Sequence, residues 1–195
     1  MKDLIIQKAF VLFLNKGFNG TSISHIQTAV NTSRGAIYHY FKSKEDIYRE
    51  VVDRYLITAL SVVTKISEED KTTLYDTIIY AIKERRKIID DIKSITTEPL
   101  SDFYYFKLVY DACDFYKGFV EKINLINHRE LSEWKSIIAI SIANKEIKND
   151  LNIDFIANNF VLLPQSVGLK YSFNGTLNID ELEMMYFEFY KLLKS

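Results

Sequence analysis

Apolar residues recur every three or four positions along most of this chain. Ile5, Ala9, Leu12 and Phe13 form one such stripe, and that spacing places side chains on a single face of an α-helix. It predicts a first helix from about Lys2 to Lys16, with Gly17 free to take the conformation that ends it. Thr21 or Ser22 then stands where a second helix needs a cap, and Ile23, Ile26 and Val30 are its inward positions. Asn31 falls at a turn position that requires tolerance of positive φ. Ser33 caps a third helix, pinned to the others by Ile37 and Phe41, four residues apart. Ser43 and Asp46 form a capping-box pattern, and Ile47, Val51 and Tyr55 carry an apolar stripe into a longer fourth helix.

Further helices are expected over about Lys71–Ile95, Ser101–Cys113, Phe115–Lys145, Ile153–Tyr171 and Asp180–Leu193. Thr96–Leu100, with Pro99, reads as a break, Asn124–His128 as a candidate interruption, and Asn174-Gly175-Thr176 as the final turn. The chain has only two prolines and six glycines, and no hairpin signal or internal repeat. The expected fold is all-α. A three-helix helix-turn-helix domain occupies residues 1–46 and continues into a linking helix to about residue 63, with a larger helical domain over 47–195. The run Lys83-Glu84-Arg85-Arg86-Lys87 is read as a solvated face in preference to a second nucleic-acid patch.

Charge is distributed unevenly over this pattern. Met1 to Lys44 contains Lys2, Lys8, Lys16, Arg34, Lys42 and Lys44 against Asp3 alone, a net +5, while the whole chain is −1 and the remainder therefore −6. A local positive field of this kind steers a protein onto phosphates even when the total is near neutral. Two short helices joined by a tight turn, the second with a small, basic and aromatic outer face, make double-stranded DNA the expected partner.

Several other classes are disfavoured. A single cysteine, Cys113, allows no intrachain disulfide and too few thiolates for a zinc finger, which suits a reducing compartment. His25, His39 and His128 include no pair at helical ligand spacing, so neither metal nor cofactor is expected. Phosphate-cradling glycine loops and nucleophile signatures are absent, so no enzyme activity is expected. The apolar run 9–14 is too short for a signal-peptide core, and no run approaches the roughly 20 residues that span a bilayer. A soluble cytoplasmic protein is expected.

On the third helix, Arg34 can donate its planar fork to guanine or bind a phosphate. Gly35 and Ala36 are small enough for close approach to base edges, although glycine also suits helix-start geometry. Thr21 and Ser22 lie at a helix N-terminus, and Lys44 at the start of the next, where phosphate oxygens are accepted; capping alone also accounts for the hydroxyl residues. Ser24 and His39 are weaker candidates for base or backbone contact, and Tyr40 serves equally well as a core residue. In the last two helices, Ile156, Phe160, Leu163, Val167, Leu182, Met185, Phe189 and Leu192 offer more apolar surface than one core needs. Two copies can bury it as a four-helix bundle, with Gly168 allowing close approach and Pro164 bending the helix. A reading helix of seven residues spans only about 10 Å. A homodimer would supply a second half-site about 34 Å away on a palindromic operator.

The segment Thr21 to Lys44, with Ala9, Phe13 and Gly17-Phe18 before it, resembles the TetR family of bacterial transcriptional regulators. The similarity rests on Thr21-Ser22, Ile26, Ser33-Arg34-Gly35, Ile37-Tyr38-His39-Tyr40-Phe41 and Lys42-Ser43-Lys44. The chain departs from the family pattern at Gln27, at Asn31-Thr32, and in the exchanged order of His39 and Tyr40. The resemblance covers about residues 3 to 55 and implies that Tyr38 reaches the DNA backbone. It further implies a repressor released by a small-molecule effector of unknown identity, bound in a pocket of the larger domain for which Tyr80, Phe103, Phe106, Tyr110, Phe119 and Trp134 are candidates. Ordinary helical core is the competing account of these aromatics. A ligand-independent DNA-binding protein, or a helical module that has lost DNA recognition, are the alternative functions.

Overall fold

The first helix, α1 (Lys2–Gly20), buries Ile5, Ile6, Ala9, Phe10, Phe13 and Leu14. It breaks at Gly17, where φ is 72° and ψ 176°, a backbone that glycine adopts without a Cβ penalty. A Cβ at that position would also come within 2.8 Å of Lys107 Cε. The computed structural model describes residues 1–67, 73–96, 102–174 and 178–194, with the side chains of 102–105 and 172–174 outside that description.

Serine caps set the next three helices, as their positions in the sequence predict. Ser22 opens α2 (Ile23–Val30), accepting from the His25 amide at 3.2 Å, while His25 Nδ1 accepts from the Ser22 amide at 3.3 Å. Histidine thus fills the place that Glu or Gln usually takes in a capping box. Asn31 ends α2 in the left-handed region at φ 53°, and Ser33 caps α3 (Arg34–Tyr40) through the Ala36 amide at 3.2 Å. Ser43 caps α4 (Lys44–Val51) through the Asp46 amide, and the Asp46 carboxylate accepts in return from the Lys42 amide at 3.2 Å.

Helix α4 is not the plain helix its periodicity predicts. It passes into a π-helical turn over Val52–Ile57 and closes in α5 (Thr58–Leu60). Beyond it lie α6 (Leu74–Ile95), α7 (Asp102–Phe115), α8 (Phe119–Ala143), α9 (Ile153–Asn174) and α10 (Ile179–Leu193). The interruption considered at Asn124–His128 does not occur, because the buried stripe Phe119, Ile126, Glu130, Trp134 and Ile137 runs unbroken through α8. Asn124 and His128 lie on its exposed face. Pro164 sits inside α9, which continues past it. The expected break at 97–100, with Pro99, and the turn residues Gly175 and Thr176 lie outside the described residues.

Among the described residues two hydrophobic cores result. The first joins α1 to α4 with Leu108 and Ala112 of α7, Tyr116, and Phe119 of α8, so the reading unit shares its core with two helices of the larger part. The second gathers Ile78, Trp134, Ile138, Phe160, Leu182 and Tyr186, with Trp134 stacked on Phe160 at 4.5 Å between ring centres. The charged run of α6 departs from a simple solvated face. Arg85 turns inward to Glu130 at 3.4 Å in a buried pair, and Arg86 bridges Asp180 and Glu183 of α10 at 2.8 and 2.7 Å. Both arginines are therefore interhelical ties. Among the described residues no helix is long and apolar enough to cross a membrane.

Candidate nucleic-acid interface

Helix α3 divides cleanly into two faces. Ile37, with Phe41 just beyond the helix, is buried against the first core, while Arg34, Gly35, Tyr38, His39 and Tyr40 are exposed and Ala36 is half-buried. Arg34 Nη2 donates to the Tyr38 hydroxyl at 3.3 Å, and its guanidinium lies 5.5 Å from the Tyr38 ring centre. This i,i+4 pair restrains both side chains before any partner arrives. The His39 ring meets Tyr40 edge-on at 4.9 Å. A Cβ on Gly35 would find nothing nearer than Ser33 Oγ at 3.9 Å. No internal clash therefore requires glycine there, and its effect is to bare the backbone at the start of the exposed face. That face carries cationic, aromatic and imidazole groups and no carboxylate, a surface able to approach phosphates and base edges.

Two of the expected contacts turn inward instead. Thr21 is buried, with its hydroxyl donating to the Gly17 carbonyl at 2.9 Å and to that of Leu12 at 3.2 Å, and its amide donating to Phe18. It latches the end of α1 and offers no donor to a phosphate. Lys44 Nζ donates to the Phe18 and Thr21 carbonyls at 2.9 and 3.0 Å, so its charge closes the α1 C-terminus. Ser22 and Ser24 remain exposed beside α3. Sequence reasoning passed over His25, whose capping role is visible only as a polar ring three residues after Ser22.

The aromatic residues expected around a ligand do not form one group. Phe119 belongs to the first core and Trp134 to the second, Tyr110 is 79% exposed, and Tyr80 and Phe106 are half-buried. The Phe103 side chain lies outside the described residues. A surface cleft of about 450 Å³ opens between α6 and α10, lined by Ile79, Ile82, Arg86, Asp90 and Glu183 among others, and by none of those five aromatics. Buried within the second core, the Trp134 indole N–H has no hydrogen-bond partner among the described residues. Four residues away, burial raises the Glu130 carboxyl above its ordinary value despite the Arg85 guanidinium.

The apolar surface of α9 and α10 also differs from expectation. Ile156, Phe160, Val167 and Leu182 are buried in this chain's own core, and Leu163, Met185 and Phe189 are half-buried against it, because they face α6 and α8. Only Leu192, at 71%, is widely exposed. The exposed apolar positions are instead Phe155, Leu162 and Leu169, seven apart on α9, with Met184 and Leu192 on α10.

Comparison with known proteins bears on the same region. Residues 5–51 match the model for bacterial regulatory proteins of the tetR family. The biofilm operon icaADBC HTH-type negative transcriptional regulator IcaR of Staphylococcus epidermidis is 42% identical over 53 residues, 27% of this chain and 29% of that protein. Its counterpart in Staphylococcus aureus strain Newman is 42% identical over 52 residues, 27% and 28% of the two chains. The match thus spans less than a third of the curated relatives' length. In fold the likeness extends over the whole chain. A TetR-family transcriptional regulator from Marinobacter aquaeolei superimposes with a TM-score of 0.72 at 18% identity, over 100% of this chain and 91% of that one. A TetR family transcriptional regulator, PfmR, from Thermus thermophilus gives 0.66 at 14%, over 95% and 96%. Residues 5–51 thus match the helix-turn-helix segment of the tetR family in sequence, and the chain as a whole shares the fold of the TetR-family regulators it superimposes on.

Proposed function

We propose that this protein is a transcriptional repressor that binds a palindromic DNA operator as a homodimer and leaves it when a small molecule binds the larger domain. The observation that carries the reading is the acid-free outer face of α3, where Arg34, Tyr38, His39 and Tyr40 project beside an uncluttered Gly35. Arg34 reads guanine or holds a phosphate, the Tyr38 hydroxyl donates to the backbone, and Ser22, Ser24, Ala36 and His39 complete the contact. The similarity of the N-terminal quarter of the chain to negative regulators favours repression over activation.

Dimerisation is supported by the exposed stripe Phe155, Leu162 and Leu169 with Met184 and Leu192. Gly168 adds to it, since a Cβ there would meet nothing within 4 Å among the described residues, leaving room for a partner helix. An effector site in the second core is supported by the unpartnered Trp134 N–H near the Arg85–Glu130 pair, a donor that a bound acceptor would satisfy. Gel shifts on the DNA upstream of the chain's own gene, and on duplexes selected from a random pool, test the reading. Saturable, sequence-dependent binding with two half-sites is expected. Binding that is equally tight to unrelated duplexes would refute it.

A further inference from the structure

The reciprocal cap on α2 has a chemistry that an acidic residue would not give it. Ser22 Oγ accepts from the His25 amide at 3.2 Å, and His25 Nδ1 accepts from the Ser22 amide at 3.3 Å. Each side chain thus spends a lone pair on the cap and keeps its proton. An imidazole that accepts at Nδ1 is neutral and carries its proton on Nε2, and a hydroxyl that accepts retains its own O–H. Both residues are exposed, and neither the Ser22 O–H nor the His25 Nε2–H has a partner among the described residues. The cap therefore turns two donors outward. Because the ring is held through Nδ1, the direction of its free N–H is set before any partner arrives.

The surrounding sequence gives that choice of residue a meaning. Between Asp3 and Glu45 the chain contains no carboxylate, and position 25 is where a capping box ordinarily introduces one. A glutamate there would close the same hydrogen bond while setting a negative charge beside Ser22 and Ser24. Histidine closes it without the charge and adds a donor. The buried residues of α2 are Ile26 and Val30, so His25 stands with Ser22 and Ser24 outside the core, on a helix that packs against α3. A group that accepts only and carries negative charge suits two outward donors with no acid near them in sequence. The phosphate oxygens of a DNA backbone are such acceptors.

We infer that His25 is a backbone contact of the DNA interface, donating its Nε2 proton to a phosphate oxygen next to Ser22. The inference rests on the DNA-reading function proposed above, and it gives His25 a part in binding that capping alone does not require.

The test uses the full chain and a duplex selected from random DNA by the unsubstituted protein. His25→Gln keeps both an acceptor for the Ser22 amide and an N–H donor, His25→Glu keeps the acceptor alone, and His25→Ala keeps neither. Melting temperature should stay near the unsubstituted value in His25→Gln and His25→Glu and fall in His25→Ala. Affinity should follow a different order, within about twofold for His25→Gln, about fivefold weaker for His25→Ala and about tenfold or more weaker for His25→Glu. A residue that only caps would leave His25→Glu binding as well as His25→Gln, because melting and binding would then move together. The second readout replaces single phosphates of the duplex by uncharged methylphosphonates. At least one such replacement should weaken the unsubstituted protein about fivefold and leave His25→Ala unchanged. Equal affinity of His25→Glu and His25→Gln, or methylphosphonates that weaken His25→Ala as much as the unsubstituted protein at every position, would overturn the inference and leave the DNA-reading function standing. A chain that selects no duplex overturns both.

Discussion

The Lys44 ammonium lies 3.9 Å from the centre of the Phe18 ring while donating to the Phe18 carbonyl at 2.9 Å. The lysine is thereby a structural cation at the end of α1. Lys44→Met is expected to cost about 1–3 kcal/mol of folding stability through lost charge-assisted hydrogen bonds. The slope of log affinity against log salt should change by well under the roughly 0.9 expected for one phosphate contact. Thermal melts paired with DNA titrations at several salt concentrations read both quantities, and a full-unit loss of slope with unchanged melting would restore Lys44 to the interface.

Arg34 and Tyr38 behave differently in the same assay. Arg34→Ala should weaken operator binding by about 1–3 kcal/mol if its fork reads a base, with a relaxed sequence preference and little change in melting temperature, since the side chain is exposed. Tyr38→Phe should cost about 0.5–1.5 kcal/mol uniformly across sequences, as expected for loss of one hydrogen bond to the backbone. Competition with single-base operator variants separates the two patterns.

On α9, neighbouring apolar residues should give opposite phenotypes. Leu162→Glu alters an exposed position and is expected to yield a folded monomer in sedimentation at micromolar concentration. Phe160→Ala removes a ring stacked on Trp134 and buried in the second core, and should cost about 3–5 kcal/mol of stability. A Leu162→Glu protein that remains dimeric would exclude the stripe Phe155, Leu162 and Leu169 as the dimer surface.

The buried Glu130 gives stability a pH dependence of definite sign. Burial raises its carboxyl above the ordinary 4.5, with Arg85 opposing, so the native state takes up this proton before the unfolded chain does. The stability it contributes is complete below the unfolded value and is lost as pH rises through the native one. Asp3 and Glu181, held low by hydrogen bonds from Arg54 and Lys170, act in the opposite sense, so the comparison is made with Glu130→Gln. Between about pH 7 and about pH 5 the difference in melting temperature should move in favour of the unsubstituted protein. A constant difference over that range would mean that Glu130 titrates normally.

The parts legible in the sequence are those specified by nearby residues. Ser22, Ser33 and Ser43 cap helices through amides three residues on, Asn31 takes the left-handed backbone of its turn, and Ile37 with Phe41 fixes which face of α3 is outward. The misread parts depend on distant partners. Lys44 is spent on Phe18, 26 residues earlier, and Arg85 on Glu130, 45 residues later. Spacing alone predicts that an aromatic such as Trp134 or Phe119 is inside, and not which of two cores receives it. On α9 the helical period marks an apolar residue every three or four positions. Which of Phe160 and Leu162 meets its own chain is decided by how α9 is rotated against α8.

The π-helical turn at Val52–Ile57 has a consequence for numbering along the helix. A π turn fits one more residue than an α turn, so positions after it are out of phase with those before it by about 100°. Glu50 upstream and Leu60 downstream therefore cannot be aligned by counting in steps of three and four. A single-residue deletion within 52–57 would remove the extra residue and restore a continuous α-helical phase, leaving everything beyond it facing much as it does now. In this helix length and azimuth are uncoupled at the π turn, and a chain one residue shorter there would present the same side chains in the same direction.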